Sequence, residues 1–272
     1  MSFTQSFRRS LKILFIDRRL PWIITQVPSL IAQVIFQIVP VLSTRTCKKQ
    51  GLHFEYRPAT PDLQVLHEVI DCDEYQVAQT IGTCPTVIDI GAHLGSFAVL
   101  AASQAPKGVV FSYEPDPANF RLLTRNVARN GLANVRTFKC AVAATSGPKT
   151  LFRATTNWGH SLSSRAYSRR LVIDSVTLPQ IFETNDVKTC HLLKIDCEGS
   201  EYEILMGLSP ELLGRIERIV GEWHPAPAGP KALGFRHLGE FLEAHGFLVE
   251  PDPRTSDEIP QGVFQAVRPN SN

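Results

Sequence analysis

The stretch Thr86-Val-Ile-Asp-Ile-Gly-Ala-His-Leu-Gly-Ser-Phe97 decides how this chain folds, because it reads as a strand, a glycine turn and the start of a helix. Val87, Ile88 and Ile90 form the short apolar run expected of a parallel strand covered on both faces. Asp89 interrupts that run. A carboxylate is costly to bury unless it is bonded or paired, so its place near the strand end assigns it to ordering the turn or a ligand. Gly91 and Gly95 permit a sharp turn and a close approach of the following helix to the sheet. Ala92 stands where a dinucleotide fingerprint requires its second glycine, so the turn is not built for a pyrophosphate.

The next apolar run, Val109-Val-Phe-Ser-Tyr-Glu114, ends in an acid about 20 positions beyond the turn, where such folds bind ribose hydroxyls. A nucleoside cofactor without phosphates fits both features, and S-adenosylmethionine is the expected one. Backbone groups from Gly91 through Ala92 and His93 to Gly95 face its amino-acid end, with a helix N-terminus favouring the carboxylate. Asp89 is expected at the ammonium, Glu114 at the ribose, and Pro115 restricts the chain leaving the strand. Asp116 is read as a ribose contact, a surface residue or a helix cap, and His93 as lining the pocket or capping the turn rather than as a base.

Downstream lies Leu192-Leu-Lys-Ile-Asp-Cys-Glu-Gly-Ser-Glu201. Together with Asp89-Ile-Gly-Ala-His-Leu-Gly95, Tyr113-Glu-Pro-Asp-Pro117 and Asn126-Val-Ala-Arg-Asn-Gly131, it resembles the FkbM family of S-adenosylmethionine-dependent methyltransferases over roughly residues 70–225. The resemblance implies a class I methyltransferase fold, Rossmann-like α/β with a mostly parallel seven-stranded sheet. It also implies O-methylation of a hydroxyl on a sugar, lipid or natural product. The first 50 residues lie outside it, which divides the chain into a helical extension, 1–50, and a methyltransferase domain, 51–272.

Asp196 falls at a strand end, where open α/β sheets bind ligands, and is the first catalytic candidate for accepting a hydroxyl proton. Glu198 follows it, and Glu222 and His224 end the next expected strand on one side by period-two geometry. His224 stands as a base or a structural histidine, and Glu201 as the start or cap of a helix over Tyr202 to Leu208. Two acids and a histidine also suit a divalent metal, or a polar hydrogen-bond cluster. Glu74 and Tyr75 are read as closing the pocket or as ordinary helix residues, and His160 as an acceptor contact or an exposed loop residue.

At 272 residues and 43 % hydrophobic content the chain can bury a full core, and a net charge of +2 without a long basic run gives no support to a nucleic-acid partner. The partner expected is a small-molecule, glycan or lipid hydroxyl. Six cysteines without a CxxC pair argue against a zinc ribbon or a redox dithiol and for reduced, cytoplasmic thiols, with Cys140 and Cys197 as packing residues. Pro21 to Ser43 carries no charged residue and is flanked by Arg and Lys. Gln26, Gln33 and Gln37 share one side of a helical wheel, and Pro28 and Pro40 threaten continuity. A membrane-surface or anchor segment, a spanning helix, and packing on the domain or a homo-oligomer contact through residues 20–43 all stay open.

A helix is expected over Asp73 to Ile81, others over Phe97 to Ser103 and Pro117 to Asn130, and strands near 109–114, 135–142, 190–196, 217–222, 246–250 and 262–267. The final pair is expected as an antiparallel hairpin. Between them, Leu151-Phe152 reads as an added strand, Asn157 to Ser164 as a polar loop and Leu171 to Leu178 as a strand, an insertion suited to selecting the acceptor. A noncatalytic cofactor-binding or membrane-associated interaction protein is the alternative function; a nicotinamide oxidoreductase is disfavoured by Ala92.

Overall fold

The computed structural model describes residues 44–82, 85–154, 160–162, 169–224, 234–251 and 261–269. A hairpin of β1 (Arg45–Lys49) and β2 (Leu52–Tyr56) comes first, followed by α1 (Asp62–Leu66), which runs on as a π-helical turn (His67–Asp71), and α2 (Val77–Thr80). Strands and helices then alternate through β3 (Thr86–Ile90), α3 (Ser96–Gln104), β4 (Val109–Tyr113), α4 (Pro117–Arg129) and β5 (Val135–Phe138). The insertion holds β6 (Ala141–Val142), β7 (Gly147–Arg153) and β8 (Arg169–Val176), and leads to α5 (Leu178–Thr184). The chain continues with β9 (Leu192–Ile195), α6 (Glu201–Leu205), α7 (Pro210–Leu213), β10 (Arg218–Trp223), α8 (Phe235–Ala244), β11 (Leu248–Pro251) and β12 (Gly262–Val267).

The main sheet has seven strands in the order β11-β12-β10-β9-β3-β4-β5. From β5 to β10 every pairing is parallel, while β12 runs antiparallel to both neighbours, as the expected terminal hairpin requires. The fold is therefore class I methyltransferase-like α/β. Strand order passes from β3 to β4 on one side and to β9 on the other, and the reversal leaves a crevice above the C-terminal ends of β3 and β9. One face of the sheet buries Ile88, Ile90, Leu193 and Ile195 against α5 to α8; the other buries Val87, Val110, Leu192 and Val220 against α1 to α4 and the first hairpin.

Asn126 and Asn130, one turn apart on α4, hold that hairpin. Each side chain accepts from and donates to the β2 backbone, Asn126 at Glu55 and Asn130 at His53. Pairing of β1 with β2 carries the strand structure back to Arg45.

Several local expectations change. The helix expected over Asp73 to Ile81 is confined to α2, because Asp73 and Gln76 take left-handed backbone, φ 46° and 51°, and the Asp73 carboxylate accepts from the Val77 N–H at 2.7 Å. Helix was instead missed at 62–71, where Leu66, Val69 and Ile70 fill the core. The strand expected over 135–142 divides into β5 on the main sheet and β6 on the small one. The strand expected to reach Leu178 stops at Val176, since Thr177 and Gln180 form a capping box that starts α5. The helix expected over Tyr202 to Leu208 ends at Leu205. Residues 1–43, with the apolar run 20–43, lie outside the described residues, as does most of the loop 157–164. Among the described residues no helix is long and apolar enough to cross a membrane.

Candidate active site

A cavity of about 580 Å³ opens in the crevice above β3 and β9, within the range of small-molecule sites. Gly91, Ala92, His93, Glu114 and Pro115 line one side; Asp196, Glu198, Glu222 and His224 line the other. The sequence reading thus brings together nine of its site residues.

Gly91 lies where the two sides meet. Its φ is +78°, and a Cβ there would sit 1.8 Å from the Asp196 carbonyl oxygen, so no side chain fits between the ends of β3 and β9. His93 takes φ 51°, which turns its N–H onto the Glu114 carboxylate at 2.8 Å. The other Glu114 oxygen accepts from the Asp116 N–H at 2.7 Å. Burial pushes the Glu114 carboxyl up to about 8, against the pull of these two bonds. The His93 imidazole is pushed down to about 4, chiefly by burial, and so is neutral, which removes it as a cationic group. Behind it Arg57 holds Asp62 through two bonds of 2.9 Å and donates to Asn119 at 2.8 Å. None of these three was assigned from sequence.

Two cofactor assignments need correction. Asp89 does not line the cavity: it is fully buried within the sheet, accepts from Ser112 at 2.9 Å and lies 3.7 Å from Lys194. Gly95 does not line it either; with φ +90° it begins α3, and a Cβ there would press on Leu123 of α4 at 2.7 Å, so it serves helix packing. Asp116 caps α4, accepting from Ala118 and Asn119. His160 is half-buried rather than exposed, with Nε2 3.8 Å from Asp116, so it belongs to the glycine-turn side.

On the other side, Glu198 and Gly199 both take positive φ, 56° and 101°, and fold the chain back after β9. Glu201, fully buried, holds this turn: its carboxylate accepts from the Cys197 N–H at 3.0 Å and the Gly199 N–H at 2.9 Å. It also bonds His224 Nδ1 at 3.1 Å, which turns Nε2 toward Glu198 at 3.5 Å and Glu222 at 3.6 Å. Burial opposes charge on His224, but Glu201, Glu198 and Asp196 outweigh it and raise the imidazole to about 10. Glu222 is pushed up to about 8 by burial and by Asp196, and the buried Tyr75 hydroxyl donates to it at 3.4 Å. The acids around His224 favour the charged imidazole, which suits it to donating a hydrogen bond from Nε2. Burial raises the Cys197 thiol well above its ordinary value and Cys140 to about 11, as packing residues require.

The residues present fit S-adenosylmethionine: a glycine turn too tight for a side chain, a buried acid at the end of β4, and polar walls without a phosphate-binding glycine pattern. Asp196, Glu198 and His224 offer ligand atoms within 4.8 Å of one another, a donor set that also suits a divalent ion.

Comparison with known proteins agrees in one direction. The 31-O-demethyl-FK506 methyltransferase FkbM of Streptomyces tacrolimicus is 26 % identical over 227 residues, covering 71 % of this chain and 85 % of that protein. Methyltransferase sdnD of Sordaria araneosa is 23 % identical, covering 70 % and 84 %. The hexuronic acid methyltransferase AglP of Haloferax volcanii is 26 % identical, covering 53 % and 57 %. The methyltransferase FkbM domain profile matches residues 89–249, from the carboxylate of β3 through β11, and so takes in both sides of the cavity. This chain belongs to the FkbM methyltransferase family.

Proposed function

We propose that the protein transfers the methyl group of S-adenosylmethionine to a hydroxyl of a sugar, glycolipid or secondary metabolite. The observation that carries this reading is the single cavity that joins the glycine turn and Glu114 to Asp196 and His224. Relatives named as methyltransferases of 31-O-demethyl-FK506 and of hexuronic acid support an oxygen acceptor.

Gly91, Ala92 and His93 would hold the amino-acid end through backbone groups, and Glu114 the ribose hydroxyls. When bound, S-adenosylmethionine supplies an electrophilic methyl on a sulfonium. Asp196 would take the proton that the acceptor's hydroxyl gives up as the methyl leaves sulfur, whose broken S–CH3 bond leaves a neutral thioether, and His224, oriented by Glu201, would hold the acceptor by donating from Nε2. Much of the acceleration comes from alignment of the two reactants.

Calorimetry with S-adenosylmethionine, followed by transfer of labelled methyl into sugar and lipid extracts, tests this. Binding without transfer favours the noncatalytic alternative; no binding removes the reading. A second reading, with Asp196, Glu198 and His224 holding a divalent ion, rests on their mutual spacing; activity lost to a chelator and restored by the ion would establish it. For residues 20–43 the proposal remains a contact with a membrane surface or with a second subunit. Removing residues 1–43, which leaves β1 whole, and comparing liposome flotation and oligomer size separates the two.

A further inference from the structure

Lys194 is a buried ammonium group that the chemistry above does not use. Its side chain is 4 % exposed, yet it reaches the cavity. In register across the parallel strands, Ser112, Asp89 and Lys194 form a row through β4, β3 and β9. Nζ donates to the Gly91 carbonyl at 2.7 Å and the Ile90 carbonyl at 3.3 Å, and lies 3.7 Å from Asp89 and 3.5 Å from Asp196. The Tyr75 ring covers it at 5.7 Å.

Neutralising Asp89 explains only one of these contacts. Two of the others fall on Gly91 and Asp196, the positions where β3 and β9 meet under the cavity. An unopposed carboxylate at Asp196 would attract a sulfonium strongly, and attraction spent on the ground state does not accelerate a reaction in which that charge disappears.

Resting on the S-adenosylmethionine reading, we infer that Lys194 is a positioning residue: it ties Asp196 to the Gly91 turn and offsets the Asp196 charge, so that the site does not favour the cationic cofactor over its neutral product.

The test is the ratio of affinities for S-adenosylmethionine and S-adenosylhomocysteine, measured by calorimetry, which needs no acceptor. Lys194→Met combined with Asp89→Asn removes the buried pair together and so leaves no lone charge in the core. The ratio should shift about tenfold toward S-adenosylmethionine, with circular dichroism unchanged. Asp196→Asn alone, at a partly exposed position, should shift it the opposite way, because Lys194 then loses the one of its two carboxylate neighbours that faces the cavity. Adding Asp196→Asn to the double variant should cancel the first shift. Equal weakening of both compounds, or an unmoved ratio in the Asp196→Asn protein, would reduce Lys194 to a structural strut and overturn the inference. A wild-type protein that binds neither compound removes the cofactor reading first, and the inference with it.

Discussion

The two sides of the cavity handle charge in opposite ways. On the glycine-turn side each acid has its own donors: Asp62 has Arg57, Glu114 has the N–H groups of His93 and Asp116, and Asp116 has the first turn of α4, with Arg153 as an ion-pair neighbour at 2.8 Å. On the Asp196 side Lys194 lies 3.5 Å from Asp196, and Glu198, Glu201 and Glu222 gather around His224. Donors dedicated to one acid fix it in place before any ligand arrives, whereas several acids gathered around one histidine couple their titrations. Under the proposed function, binding falls to the first side and chemistry to the second.

The sharpest way to break this contrast is Asp196→Asn, which should keep the fold and lower single-turnover methyl transfer roughly 10²- to 10⁴-fold at saturating cofactor. Full activity in the folded variant would move the chemistry elsewhere, with Glu198 next. Glu201→Gln should come second. It weakens charge-assisted bonds to two backbone N–H groups and to His224, so thermal unfolding should show a loss of about 1–3 kcal/mol, with turnover falling as the turn loosens. Unchanged stability would show that the turn after β9 holds itself.

On the other side, Glu114→Ala should weaken S-adenosylmethionine binding by about 1.5–3 kcal/mol without unfolding the domain. Native-like affinity in the folded variant would detach the ribose from Glu114.

The smallest expected effect is on pH. Because burial raises Glu114 to about 8, the folded protein without ligand keeps a proton there that the unfolded chain releases near the ordinary carboxylate range. Its contribution to stability is present below that range and is lost as pH rises toward 8. Cofactor affinity should move the other way, since ribose hydroxyls need an acceptor: binding tightens and releases a proton between pH 6 and about 8. Glu114→Gln should flatten both slopes.

The strands and the main acids were legible because they obey local rules. Val87, Ile88 and Ile90 read as a covered strand, and Glu114 and Asp196 stand at strand ends, where the fold exposes ligands. Asp89 was read toward a ligand, and its neighbours across the sheet, Ser112 bonding one oxygen and Lys194 3.7 Å from the other, could not be foreseen, because they depend on register rather than on sequence spacing. Lys194 carried the same signal as Asp89, a charge inside an apolar run, and the two together would have announced a buried pair. Arg57 and Asp62 gave no sign, since they precede every motif and meet the cavity lining through His93 and Asn119. Asn126 and Asn130 were legible as a motif but not as hairpin anchors.

The contact between Gly91 and Lys194 spans 103 positions of sequence, with the whole insertion between them. Sequence-distant contacts form late, after the entropy of closing the intervening loop has been met. A partly folded chain in which β3 to β5 have assembled would therefore already own Gly91 and Glu114 and still lack the seam against β9 that completes the cavity. On the S-adenosylmethionine reading, cofactor uptake should therefore come late in refolding and register docking of β9 rather than formation of the first half of the sheet.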